Sequence, residues 1–150
     1  MKGVVCSVHV VSISSLKGGV GKTSVTLGLA SAALAAGIPT LVIDLDPHAD
    51  ASTGLGVRAE DKQTIGQMLK NVRRARLQDN VAASSWQSKA AEKKSRTRIP
   101  VLDVAVGDAY TGIYDRPDLR TRDLRRLTQL LSRTSATSWC SSTARPRSTG

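Results

Sequence analysis

The stretch Leu16–Ser24, LKGGVGKTS, constrains what this chain can fold into more than any other feature. Gly18, Gly19 and Gly21 crowd into four positions, so the backbone there can turn its N–H groups inward without Cβ clashes. Ahead of it, Val4–Ser14 is rich in Val and Ile and predicts a buried strand. Behind it, Thr23–Ala36 places Val25, Leu29 and Ala32 or Ala33 at helical spacing, with Gly37 where a C-terminal cap belongs, and predicts a helix. A glycine loop between a strand and a helix start is a phosphate cradle, because its donors converge and the helix dipole favours an anion. Lys22 would neutralise the β- and γ-phosphates of a nucleoside triphosphate, and the Thr23 hydroxyl would ligate magnesium. The candidate nucleotide-binding residues are therefore Gly18, Gly19, Val20, Gly21, Lys22, Thr23 and Ser24.

Thr40–Leu45, TLVIDL, predicts a second strand, so the first 46 residues read strand, loop, helix, strand: a βαβ unit with a right-handed crossover. Asp44 and Asp46 stand two apart at its end. Side chains two apart on a strand face the same way, so both carboxylates can address one site at the strand's C-terminal edge, where open α/β sheets bind ligands.

Thr64 is a plausible N-cap for a helix carrying Ile65, Met68, Leu69, Val72 and Leu77 on one face. Ser84–Arg98 is polar, basic and without period, and reads as a loop. Val101–Val106 predicts a third strand, and Pro117 and Asp118 open a helix with Leu119, Leu124, Leu127, Leu130 and Leu131 inside and Arg120, Arg122, Arg125 and Arg126 outside. The expected fold is α/β: a mostly parallel sheet with flanking helices. At 150 residues and 40% hydrophobic content the chain can bury one core, and 3% aromatics excludes stacking platforms for nucleic-acid bases. No apolar run approaches the about 20 residues that cross a bilayer, and the start lacks the apolar core of a secretion signal. Cys6 and Cys140 form neither a disulfide framework nor a metal quartet, which points to a reducing, cytoplasmic setting. Lys2, Lys17 and Lys22 balance Asp44, Asp46 and Asp50, so the whole net charge of +10 falls on residues 58–150. Such a half attracts polyanions or is simply a solvated basic surface.

A standard phosphate loop would place glycine at position 16, where this chain has Leu16 followed by Lys17. KGGVGKT resembles the deviant Walker A motif shared by ParA-type partition ATPases, MinD-type cell-division ATPases, arsenical-pump ATPases and nitrogenase iron protein. The resemblance implies a P-loop fold and an ATP-dependent homodimer in which Lys17 reaches across to the partner's ATP. Leu41–Val57, LVIDLDPHADASTGLGV, resembles the ParA segment DLDPQGNATxGLGV. It implies that Asp44 lies near the magnesium shell and that Asp46 orients the attacking water. The chain departs at His48, Ala49 and Asp50, where Gln, Gly and Asn are usual. GLGV followed by TIGQML favours the ParA branch; no cysteine pair suits an iron–sulfur cluster, and the tail suits no membrane helix. The branch implies ATP and Mg2+ as cofactors, nonspecific DNA and a ParB-like centromere-binding protein as partners, nucleoid association, and a part in chromosome or plasmid partition. Two other readings remain: a noncatalytic fragment using Arg120–Arg126 on nucleic acid, and a nucleotide-binding regulator that segregates nothing.

The resemblance covers roughly Val8–Leu131, read as the N-terminal part (1–131) of an ATPase domain. Residues 132–150 hold ten Ser or Thr and no apolar period, and are expected to be disordered or out of frame. Where family members have a buried strand ending in an acidic residue and two prolines, the chain reads SWCSSTARPRSTG. Trp139 followed by Cys140 forces valine in the frame one base earlier, and GC-rich synonyms make that frame read DLVVLIDCPPSLDG. The sequence thus predicts a one-base frameshift between about Leu131 and Thr137, and weak or absent ATPase activity with marginal stability for the chain as written.

Overall fold

The computed structural model describes residues 8–93, 101–115 and 118–134. Its first regular element is helix α1, Lys22–Ala36, stopped by Gly37 at φ 71°, a left-handed conformation that glycine adopts without a Cβ penalty. Strand β1, Thr40–Ile43, follows directly. A short helix α2, Asp50–Gly54, leads to α3, Ile65–Lys70, whose N-cap Thr64 and Gln67 form a reciprocal capping box. Next come a two-residue strand β2, Ala82–Ala83, and helix α4, Ser85–Lys93. Strand β3, Leu102–Ala105, precedes helices α5, Thr121–Leu124, and α6, Arg126–Ser132.

The sheet runs β1-β3-β2, with β1 parallel to β3 from Thr40 opposite Leu102 to Ile43 opposite Ala105, and β2 antiparallel to β3. Period-two alternation divides the strands between two cores. Leu41, Ile43 and Ala105 join Ile65, Met68, Leu69, Leu77 and Leu130 on one face. Val42, Leu102, Val104 and Val106 join Ala30, Leu55 and Val57 on the other, with Leu27, Leu34 and Trp86 alongside. The sheet is therefore sandwiched between α3 and α6 on one side and α1, α2 and α4 on the other.

Four expectations need correction. Residues 8–14 form no strand: Val10 is 79% and Val11 72% exposed, because none of the described strands pairs with them. The proposed βαβ unit is consequently not assembled within the described residues; β1 finds its parallel neighbour in β3 instead. Ser84–Lys93 is not loop but the start and body of α4. The Ser84 hydroxyl donates to the Leu55 carbonyl and accepts from the Trp86 N–H, while Trp86 packs on the second core. Finally, the leucine-rich helix begins at Thr121, not Asp118, and is divided at Arg125. Val4–Ser7, residues 94–98, Pro117 and 135–150, with Cys6 and Cys140, lie outside the described residues.

Candidate functional site

The site is built on the C-terminal edge of the sheet and the start of α1. Gly19 and Gly21 have φ of 73° and 91°, so any Cβ there would be strained, and nothing lies within 4 Å of a Cβ at Gly18, Gly19 or Gly21. The loop is thus uncrowded and open to its surroundings. Gly21 caps α1 without a side-chain acceptor, which leaves the first-turn N–H groups of a 15-residue helix to be met from outside. That arrangement fits a phosphate chain. Lys22 and Thr23 are half-buried at the helix start, whereas Lys17, Val20 and Ser24 are exposed.

Beyond β1 the chain closes a tight loop around Asp44. This carboxylate is buried and accepts three hydrogen bonds, from the Asp46 N–H at 3.1 Å, the Ser52 N–H at 2.8 Å and the Ser52 hydroxyl at 2.7 Å. The Ser52 hydroxyl in turn accepts from the Gly107 N–H at 3.2 Å, tying the ends of β1 and β3 together. At Gly107 a Cβ would come within 2.9 Å of the Asp46 carbonyl oxygen, so glycine permits the close approach. Asp46 is more open. Its carboxylate accepts from the His48 N–H at 2.9 Å and lies 3.1 Å from the His48 ring Nδ1. The His48 N–H holds the Asp46 carboxyl below its ordinary value; partial burial opposes this, and the His48 ring and the nearby Lys22 ammonium add to it. Asp46 therefore stays ionised.

The structure thus brings Lys22 into the electrostatic range of Asp46 and buries Asp44 just behind it. It leaves Lys17 facing outward. Ser52 and Gly107 escaped the sequence reading because their bonds span 8 and 55 residues of chain; the only local hint was a glycine just after a strand. Among the described residues no cluster of His, Cys, Asp and Glu suffices by itself to hold a metal ion.

Comparison with known proteins agrees with this geometry. Residues 11–137 match the family described as the CobQ/CobB/MinD/ParA nucleotide binding domain. The chain belongs to this family. Chromosome partitioning protein ParA of Caulobacter vibrioides is 36% identical over 101 residues, covering 67% of this chain and 33% of that protein. Chromosome-partitioning ATPase Soj of Thermus thermophilus is 46% identical over 50 residues, covering 33% and 20%. ParA of Myxococcus xanthus is 40% identical over 66 residues, covering 43% and 23%. The chain spans a third or less of the length of these relatives. Membership of the ParA-type group and the P-loop α/β fold agree with the sequence reading. Position 49, where ParA proteins were expected to carry glycine, has φ 55° here, a left-handed conformation that an alanine adopts only at a cost. No helix among the described residues is long and apolar enough to cross a membrane.

Proposed function

We propose that this chain carries the ATP-binding part of a ParA-type partition ATPase. The observation supporting this best is the pairing of an uncapped helix start behind left-handed Gly19 and Gly21 with a Lys22 ammonium whose charge reaches the Asp46 carboxylate. The N–H groups from Gly18 to Ser24 grip the phosphates, and Lys22 neutralises them. Thr23 would supply a hydroxyl ligand to a magnesium ion, and Asp44, which already accepts three hydrogen bonds, would orient the groups around it. Bound ATP supplies the phosphoanhydride that is split. Asp46, held ionised, accepts a hydrogen bond from the attacking water and positions it. Lys17, exposed on the loop, acts on the nucleotide of a second copy, where it offsets charge developing in the transition state. ATP-dependent pairing of two copies creates the form that binds DNA nonspecifically on the nucleoid, and a ParB-like partner triggers release.

The rival reading, a basic fragment using Arg120–Arg126 on nucleic acid, is weakened because Arg126 is already occupied. Its Nε donates to Asp123 at 2.8 Å, and its Nη1 to the Leu69 and Lys70 carbonyls.

In a chain extended to the relatives' length, Lys22→Ala is expected to lower ATP affinity on the order of 100-fold, as loss of charge-assisted phosphate contacts does. Lys17→Ala is expected to leave ATP affinity nearly unchanged and to cut turnover about 1,000-fold, the scale of a cation delivered in trans. Asp46→Ala should leave ATP bound and DNA association prolonged. Nucleotide titration and single-turnover hydrolysis separate these outcomes; equal loss of affinity in both lysine variants would refute the role of Lys17.

A further inference from the structure

The turn that carries Asp46 is fixed on its inner side and open on its outer side. It is closed by the Ala49 N–H, which donates to the Asp46 carbonyl at 3.0 Å, with Ala49 itself at φ 55°. The inner fit is close. A Cβ at Gly107 would come within 2.9 Å of the Asp46 carbonyl oxygen, and one at Gly112, in the 3-10 helix Ala109–Asp115, within 3.2 Å of Pro47 Cγ. On the outer side the Asp46 side chain is 35% and the His48 side chain 83% exposed.

The Asp46 carboxylate is held asymmetrically. The His48 N–H donates to Oδ1 at 2.9 Å, and the ring Nδ1 lies 3.1 Å from the same oxygen. An ionised carboxylate can only accept, so this contact requires the proton on Nδ1 and fixes the tautomer of the neutral ring. Among the described residues no hydrogen bond reaches Oδ2. The last torsion of an aspartate is broad and roughly two-fold, so a single backbone donor leaves the carboxylate room to rock. A second donor on the same oxygen removes that room and makes the two oxygens unlike. Glutamine, usual at position 48 in the segment that this one resembles, carries its amide nitrogen one bond farther from the backbone than Nδ1; asparagine carries it at the same bond count.

We propose that the His48 ring is a positioning residue for hydrolysis: it pins Oδ1 of Asp46 and so reserves Oδ2 as the oxygen that accepts the hydrogen bond of the attacking water. The inference rests on the reading of Asp46 as the water-positioning carboxylate, and adds which oxygen acts and what keeps it in place. Loss of the ring then costs orientation rather than binding. The phosphates are met by the loop N–H groups and Lys22, to which His48 makes no hydrogen bond, so ATP affinity does not follow the ring while turnover does.

The test uses a chain extended to the relatives' length. Long-range proton–nitrogen NMR, at a pH where the ring is neutral, reads which ring nitrogen carries the proton; the His48 signals are those absent from His48→Ala. The Nδ1–H tautomer is expected, and the Nε2–H tautomer would overturn the inference whatever the protein does to ATP. Nucleotide titration and single-turnover hydrolysis then compare variants. His48→Ala is expected to lower turnover about 10-fold, the scale of one hydrogen bond to a charged group, with ATP affinity unchanged. His48→Asn is expected to restore most of the rate. Full turnover in His48→Ala, ATP affinity lost in step with the rate, or an asparagine variant as slow as the alanine one each defeats the inference alone. An unaltered chain that hydrolyses no ATP, or an Asp46→Ala variant that hydrolyses it normally, defeats the reading of Asp46 and the inference together.

Discussion

Val8–Ile13 and Val101–Val106 are two short segments of similar composition with opposite fates. The second becomes the central strand, with Leu102, Val104 and Ala105 fully buried; the first has no regular structure and is exposed but for a half-buried Ile13. Strand preference does not separate them. What separates them is neighbours: β3 has β1 on one side, β2 on the other and a core on each face, whereas no described strand reaches Val8–Ile13. A strand is a relation between segments before it is a property of one.

Paired truncations are the strongest way to break that contrast. Leu102→Ala is expected to cost about 2–5 kcal/mol, by lost burial and a cavity in the second core, while Val10→Ala stays within about 0.5 kcal/mol. Urea unfolding of both variants measures it, and equal losses would show that Val10 is buried in solution. Next in size is Ser52→Ala, which removes a donor from Asp44 and the acceptor of the Gly107 N–H at the edge shared by β1 and β3. Leaving buried polar groups unpaired costs about 1–3 kcal/mol, and the same unfolding assay reads it.

Much of the fold was legible because its signals are local. Gly37 ends α1 where the chain's periodicity stops, and Thr64 opens α3 as its N-cap. Helix α4 was not legible, since Ser85–Lys93 has no apolar stripe and is anchored from one end by Ser84 and Trp86 on partners far along the chain. At the candidate site, motif spacing singles out Lys22, Thr23, Asp44 and Asp46, and the structure sets the two carboxylates just past the end of β1 rather than on the strand. The work of Ser52 and Gly107 was not legible, because it exists only once β1 and β3 lie side by side.

Smaller effects sharpen the description of the loop beyond β1. Ala49→Gly relieves a left-handed alanine and is expected to raise stability by up to about 1 kcal/mol, less the added freedom of the unfolded chain; thermal unfolding checks it. Smallest is the Asp46 contact. Because the folded carboxyl is held below its ordinary value, its contribution is complete above that value and is lost as pH falls through the folded pKa, below about pH 4. His48→Ala deletes the ring but keeps the N–H, the main cause of the shift. The Asp46 titration by NMR should therefore rise only part of the way back, with a stability change of a few tenths of a kcal/mol.

Arg126 and Arg133 reach from the region of α6 to the carbonyls of Leu69 and Lys70, and of Val72 and Arg73, at the end of α3. Uncharged acceptors give salt little to screen, whereas contacts with phosphates weaken steeply as counterions return. Among the described residues ionic strength therefore separates two kinds of arginine: fasteners such as Arg126 and Arg133 whose bonds to carbonyls hold α6 down with little sensitivity to salt, and outward cations such as Arg120 and Arg122 whose grip on a polyanion dissolves. The formal charge counts both alike, so it overstates the charge on offer to a partner.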